Sequence, residues 1–139
     1  MTIAQRTLLL LLPLLLAIRL PAQDIAGRWT SIDDETGKAR SIVEIPVKNG
    51  IATGRIVQLL DNSQKDVVCN KCTDDRKNAP ILGLEIIRGL KQNGKEWGEG
   101  TVLDPENGKL YGCKLWVENG DLKMRGYLGF FYRTQTWKR

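Results

Sequence analysis

Asn-Gly pairs at positions 49–50, 93–94 and 119–120, with a fourth at 107–108 inside a longer polar turn, constrain this chain more than any other feature. A two-residue type I′ hairpin turn needs positive φ at both central residues, which Asn and Gly tolerate best. Each pair is flanked by residues that alternate between apolar and polar. Before the first, Val43, Ile45 and Val47 share one face and Glu44 lies on the other, as a half-buried strand requires. The run 51–60 returns from that turn. Leu82, Leu84, Ile86 and Leu90 make a further alternating strand, with Arg88 on the same face. The second pair leads into 97–103. The polar turn Asp104-Pro105-Glu106-Asn107-Gly108 leads into 110–117, the third pair leads into 122–128, and 131–138 closes the chain. With an opening strand over 25–32, ended by a polar turn at 33–37, the pattern predicts about eight strands and no long amphipathic helix. The fold class is all-β. Sequential hairpins make an antiparallel meander, and about eight strands suffice to close it into a small barrel without exposed edges. A two-sheet sandwich is the competing arrangement.

The first 23 residues stand apart from this pattern. Arg6 gives a positive start, 8–18 is aliphatic except for Pro13, and Ala22 is a small residue where a signal peptidase could cut. A spanning helix needs about 20 apolar residues, and Arg19 and Pro21 end this run early. The expectation is a cleavable signal peptide over 1–23 and one domain over 24–139, exported to a periplasm or secreted. No stable membrane span would remain after cleavage; an uncleaved anchor is the alternative. Arg6 and Arg19 are two of the 21 basic residues, so the remainder holds 19 against 16 acidic ones, a net charge of +3 instead of +5. Lysines and arginines alternate with acids throughout, which is not the footprint of a nucleic-acid binder.

The connection 61–80 is about 20 residues long, unusual for a compact domain, and such segments are often functional or specially stabilised. It contains Cys69-Asn70-Lys71-Cys72. In an exported protein this spacing favours a disulfide. A structural zinc site wants four Cys or His ligands, and the chain has three cysteines and no histidine. So small a ring contributes only about 2 kcal/mol in the loop-closure picture, enough to stiffen the loop. Thiol–disulfide exchange would normally place the attacking sulfur at a helix N-terminus, and no helix is expected behind this pair. Cys113, on a strand face with Tyr111 and Leu115, reads as a small buried hydrophobe.

Without histidine, Ser-His and Cys-His catalysis are excluded. The carboxylates of 33–35, 74–75 and Asp104 fall in turns, where a solvated surface is the simpler reading. There is no phosphate-cradling glycine loop. No catalytic residue, metal site or cofactor is therefore assigned. Asp104 and Gly108 have a structural task, shaping the turn around Pro105.

The polar residues of the last strands are arranged with the sheet. Arg125 and Tyr127 share one face of their strand; Arg133, Gln135, Trp137 and Arg139 share one face of the next. These side chains either cover the outside of the barrel or turn inward with Tyr111 to orient a ligand. Alternation alone does not say which face is inside.

Gly27-Arg28-Trp29, the Cys-x-x-Cys loop, 80–84, 104–111, 125–129 and the ending 133–139 together resemble a family of exported bacterial proteins catalogued as domain of unknown function 2147. The resemblance spans nearly all of 24–139 and implies a small exported β-domain of uncharacterised activity. Gly27 and Trp29 are also similar to the Gly-x-Trp strand that opens lipocalin-like barrels. There the tryptophan packs at the closed end against an arginine of the last strand, a role that Arg139 or Arg133 could fill by a cation–π stack. The resemblance implies a barrel with capacity for a ligand.

Two functions remain. In one, the barrel binds a small hydrophobic or anionic molecule through Tyr111, Arg125, Tyr127, Arg133 and Gln135. In the other, a filled barrel serves the envelope as a structural or protein-interaction module, meeting an unknown protein partner through 61–80. A cavity inside the barrel separates them.

Overall fold

The strands form where the alternation places them, with two exceptions. The computed structural model describes residues 24–139; the signal peptide expected over 1–23 lies outside the described residues. The strands are β1 (Gly27–Ile32), β2 (Ala39–Ile45), β3 (Val47–Lys48), β4 (Ile51–Leu59), β5 (Glu85–Asn93), β6 (Glu96–Asp104), β7 (Lys109–Glu118), β8 (Asp121–Leu128) and β9 (Phe131–Trp137). All pair antiparallel in the order β1-β2-β4-β5-β6-β7-β8-β9, with β3 on the side of β4. The first exception is β3. Pro46 has no N–H to give the ladder, so it interrupts the expected strand, and Val47 beyond it is turned to solvent.

The second exception is β5, which begins at Glu85 and not at Leu82. Ala52 and Gly54 of β4 face Leu90 and Ile87 of β5, so two steps on one strand span three on the other. This bulge at Arg88-Gly89 breaks the period of two. Ile87 and Leu90 point into the core, Leu82 is exposed, and Arg88 faces outward instead of sharing the face of Ile86 and Leu90.

The meander curls round until its last strand meets its first. Thr30 N–H donates to the Lys138 carbonyl (2.6 Å) and Lys138 N–H to the Thr30 carbonyl (3.0 Å). The result is a nearly closed barrel, not a sandwich. Because consecutive strands run in opposite directions, every second connection returns to the same end. One end gathers the start of β1, the end of β9 and the three short turns. Asn49-Gly50 and Asn119-Gly120 have both residues at positive φ, as expected (52° and 76°, 52° and 81°). The turn at Gly94 differs: Asn93 pairs with Glu96, so Gly94 and Lys95 form the loop. The other end gathers 33–38, 60–84, 105–108 and 129–130.

The two halves of the interior are built differently. Towards the short-turn end, inward residues of successive strands (Trp29, Val43, Ile45, Ala52, Leu90 and Leu115 among them) are fully buried and fill the barrel. Trp29 Nε1 donates to the Ile25 carbonyl (2.8 Å). The Arg139 guanidinium lies 4.1 Å from the Trp29 ring centroid, and its Nη2 donates to the Asp24 carbonyl (2.8 Å). Arg139, not Arg133, is therefore the arginine that closes this end. Gly27 sits at φ 112°, and a Cβ there would come within 3.3 Å of Arg139 Nη1.

Removing the Trp29 ring would leave a cavity in this packed half. Trp29→Ala is expected to destabilise the fold by about 3–5 kcal/mol in denaturant titration, and a loss below about 1 kcal/mol would contradict this packing.

Candidate functional site

Towards the long-loop end the barrel is hollow. A cavity of about 610 Å³ opens there, within the range typical of small-ligand sites. Its floor and lower walls are apolar: Ile56, Val102, Met124 and Trp137 are turned inward by the strand alternation, and Ile86 joins them beside the inward Ile87 at a second register shift between β4 and β5. Ser31 and Ser41 face each other across β1 and β2 with their hydroxyls 2.8 Å apart, and the Ser41 N–H also donates to Ser31 Oγ (3.1 Å). Higher up, Gln135 accepts from Trp137 Nε1 (2.8 Å), and the Tyr111 hydroxyl accepts from Asn107 Nδ2 (3.1 Å).

Charged groups ring the mouth, and its two arginines are already paired. Arg40 bridges Asp33 (3.4 Å) and Glu106. Arg133 holds Asp34 through Nη2 (2.5 Å) and Nε (3.1 Å), and also meets Glu35 (3.3 Å). Asp34 raises the Arg133 pKa further above its ordinary value. The backbone N–H groups of Thr36 and Glu35 hold the Asp33 carboxyl below the usual range.

Of the residues expected to contact a ligand, Tyr111, Arg133 and Gln135 line this cavity. Arg125 and Tyr127 do not, which corrects the expectation of an inward face for them. The register pairs Met124 with Gln135 and Gly126 with Arg133 on the inside, so 125 and 127 must point out. There the Arg125 guanidinium lies 4.9 Å from the Trp116 ring and 4.5 Å from the Tyr132 ring, and its Nε donates to Thr134 (2.7 Å). Tyr127 packs beside Tyr132. Asp33, Asp34 and Glu106 belong to the mouth although their segments read as turns, and Arg40 of β2 belongs there with nothing in the sequence to single it out. The signal that could have found them is hairpin parity: in a meander, the loops after β1, β6 and β8 must converge.

The connection 61–80 is fastened beside this mouth. Cys69 and Cys72 form a disulfide and are buried. The 104–108 turn presses on them: Gly108 has φ 73°, and a Cβ there would lie 2.0 Å from the Lys71 carbonyl oxygen. Asp104 shapes that turn, its side chain accepting from Glu106 N–H (2.9 Å) and its carbonyl from Gly108 N–H (2.8 Å). Arg76 is buried, donates to Asp74 through Nη2 (2.6 Å) and to the Glu85 carbonyl through Nη1 (2.9 Å). Arg88 grips both oxygens of Asp75 (2.8 and 2.9 Å) and also Glu85 (2.6 Å). Among the described residues the only helix is the 3₁₀ turn Asn62–Gln64, so no helix N-terminus activates either sulfur. Burial pushes the Cys113 thiol up to about 12, leaving it almost entirely protonated at neutral pH.

An antiparallel meander barrel, closed by a Gly-x-Trp strand stacked under a C-terminal arginine and hollow at the opposite end, is a lipocalin-like barrel. A solved structure agrees in fold: protein HP1028 from the human pathogen Helicobacter pylori, described as belonging to the lipocalin family. It matches with a TM-score of 0.71 and 20% identity over 84% of this chain and 82% of that one. The chain belongs to the family described as "uncharacterized protein conserved in bacteria (DUF2147)", whose pattern it matches over residues 27–139. No curated protein matches it in sequence.

The loop fastening should respond to acid. Hydrogen bonds from the Arg76 side chain, then from its backbone N–H, lower the Asp74 pKa from 3.8 to about 2. A depressed carboxylate stabilises the folded state above its unfolded pKa, and that contribution is lost as pH falls through the folded value. Protection of the 61–80 amides, measured against their intrinsic exchange rates, should therefore fall between about pH 4 and pH 2. Asp74→Asn should show faster exchange at neutral pH and no such acid step; identical profiles would contradict the assignment.

Proposed function

We propose that this protein is an exported binding protein that holds one small, partly apolar molecule in the upper half of its barrel. The observation that carries the reading is the cavity of about 610 Å³, apolar at its floor and polar at its mouth. A barrel serving only as a structural module would have no need to stay hollow at one end while packed at the other. Tyr111 and Gln135 offer hydrogen bonds above the apolar floor, the usual way such sites orient a ligand. The lipocalin-like architecture supports the same reading by analogy of fold. A purely binding role also agrees with the absence of histidine from the chain and with the buried, inert positions of its sulfurs.

Export rests on the apolar leader pattern of 1–23, and a disulfide between Cys69 and Cys72 suits an oxidising compartment. The mature chain recovered from periplasm or medium should begin near residue 24 by intact mass. A chain retained in the membrane with 1–23 attached would support the uncleaved anchor instead.

Gly126 provides the binding test. It lines the cavity, its φ is ordinary, and a Cβ there would meet only Tyr111 and Val102 at 3.5–3.6 Å. Gly126→Phe should fill the cavity from within while keeping the barrel folded. The neutral fluorophore N-phenyl-1-naphthylamine should brighten with the natural protein, and its affinity should fall at least about fivefold in Gly126→Phe, a loss of about 1 kcal/mol. No brightening, or unchanged affinity in a folded variant, would count against the cavity as the site.

A further inference from the structure

The charge pattern at the mouth narrows the ligand class, an inference that rests on the ligand-binding reading above. We infer that the cavity takes an amphiphile with a cationic, hydrogen-bond-donating head, an aliphatic or aromatic amine, and discriminates against fatty acids of the same length. An arginine inside a barrel would ordinarily suggest an anionic ligand. Here each mouth arginine is held by two carboxylates: Arg40 by Asp33 and Glu106, Arg133 by Asp34 and Glu35. An anionic head would meet two arginines whose charge is each already balanced by two carboxylates.

The surplus charge points the same way. Asp104 also lines the cavity and has no ion pair among the described residues; its side chain takes one hydrogen bond, from the Glu106 N–H (2.9 Å). The mouth therefore carries Asp33, Asp34, Glu35, Asp104 and Glu106 against Arg40 and Arg133. Lys71 belongs to an adjoining depression of about 360 Å³, beyond Pro105, and leaves carboxylates in the majority. The depth of the cavity sets the orientation. Ile56, Ile86, Val102 and Met124 can cover an apolar tail, and a head group level with Asp104 would find acceptors and a negative potential. Such fields act strongly at a concave, partly desolvated rim.

Three ligands of equal chain length test this: decylamine, 1-decanol and decanoate, each titrated below its critical micelle concentration at neutral pH and low salt. The amine should bind at least about tenfold more tightly than the carboxylate, with the alcohol between them. Raising the ionic strength to about 0.5 M should narrow the gap, because screening then acts over only a few ångströms. Glu106→Gln removes one carboxylate and half-frees Arg40, and should reduce the amine-to-carboxylate ratio at least about threefold. Decanoate binding as tightly as decylamine, or a ratio untouched by both salt and Glu106→Gln, would overturn the inference. So would failure of all three decyl compounds while N-phenyl-1-naphthylamine still binds. Failure of the fluorophore as well would remove the ligand-binding reading itself.

Discussion

Closure of the sheet is the constraint on which the remaining structure depends, and it is achieved with few hydrogen bonds. The first and last strands exchange one pair, between Thr30 and Lys138. What strengthens the seam is the tryptophan beneath it. The Trp29 ring is fully buried, its indole N–H is satisfied by Ile25, and its face is covered by Arg139, which also ties down the carbonyl of Asp24. A cation–π contact from an exposed arginine adds about 0.5–1 kcal/mol to a large apolar burial. The approach to β1 and the residue that follows β9 are thus fixed to one point. With the sheet drawn round to this seam, one packed half supplies enough apolar burial for the other half to remain open.

That open half owes its shape to the fastening around it. The 61–80 segment would be costly to order if held only by its own residues. Here it is pinned by a short covalent ring, by two arginines on three carboxylates, and by a turn that meets it at van der Waals distance through Gly108. The pairs Arg40–Glu106 and Arg133–Asp34 then join loops far apart in sequence across the entrance. A rim held in this way enters binding with little conformational entropy left to lose.

Much of the architecture was legible in the sequence, because turn chemistry and period-two alternation act locally. Asn49-Gly50 and Asn119-Gly120 could hardly be anything but hairpins, and Cys69 with Cys72 announced a staple. The misses have non-local causes. The start of β5 was misplaced because 81–84 is a turn, with Leu84 N–H donating to the Ile81 carbonyl (3.1 Å) and Gly83 at φ 89°, and the face of Arg88 was misread because the bulge at Arg88-Gly89 changes the period inside the strand. The orientation of Arg125 and Tyr127 was missed because β9 sets Arg133 and Gln135 on one face with Trp137, although β8 alternates cleanly, with Leu122 and Met124 on the face opposite Arg125. It is settled by register, which sets Gly126 opposite Arg133 and gives that long side chain room inside. The mouth carboxylates looked like ordinary turn residues, since nothing in a turn's own sequence says which other turns it will meet.

The segregation of short turns to one end and long segments to the other divides labour along the barrel axis. The pegged end contains the seam, the tryptophan and the densest packing, so changes there disturb the whole fold. The segments at 33–38, 105–108 and 129–130 contribute little to that packing and everything to the entrance. They stand to the barrel as variable loops stand to a rigid framework. Of these, 33–38 lies outside the stretches that carry the family resemblance and is free of the Gly108 contact, so exchanging it is the natural route to retargeting the scaffold without rebuilding it.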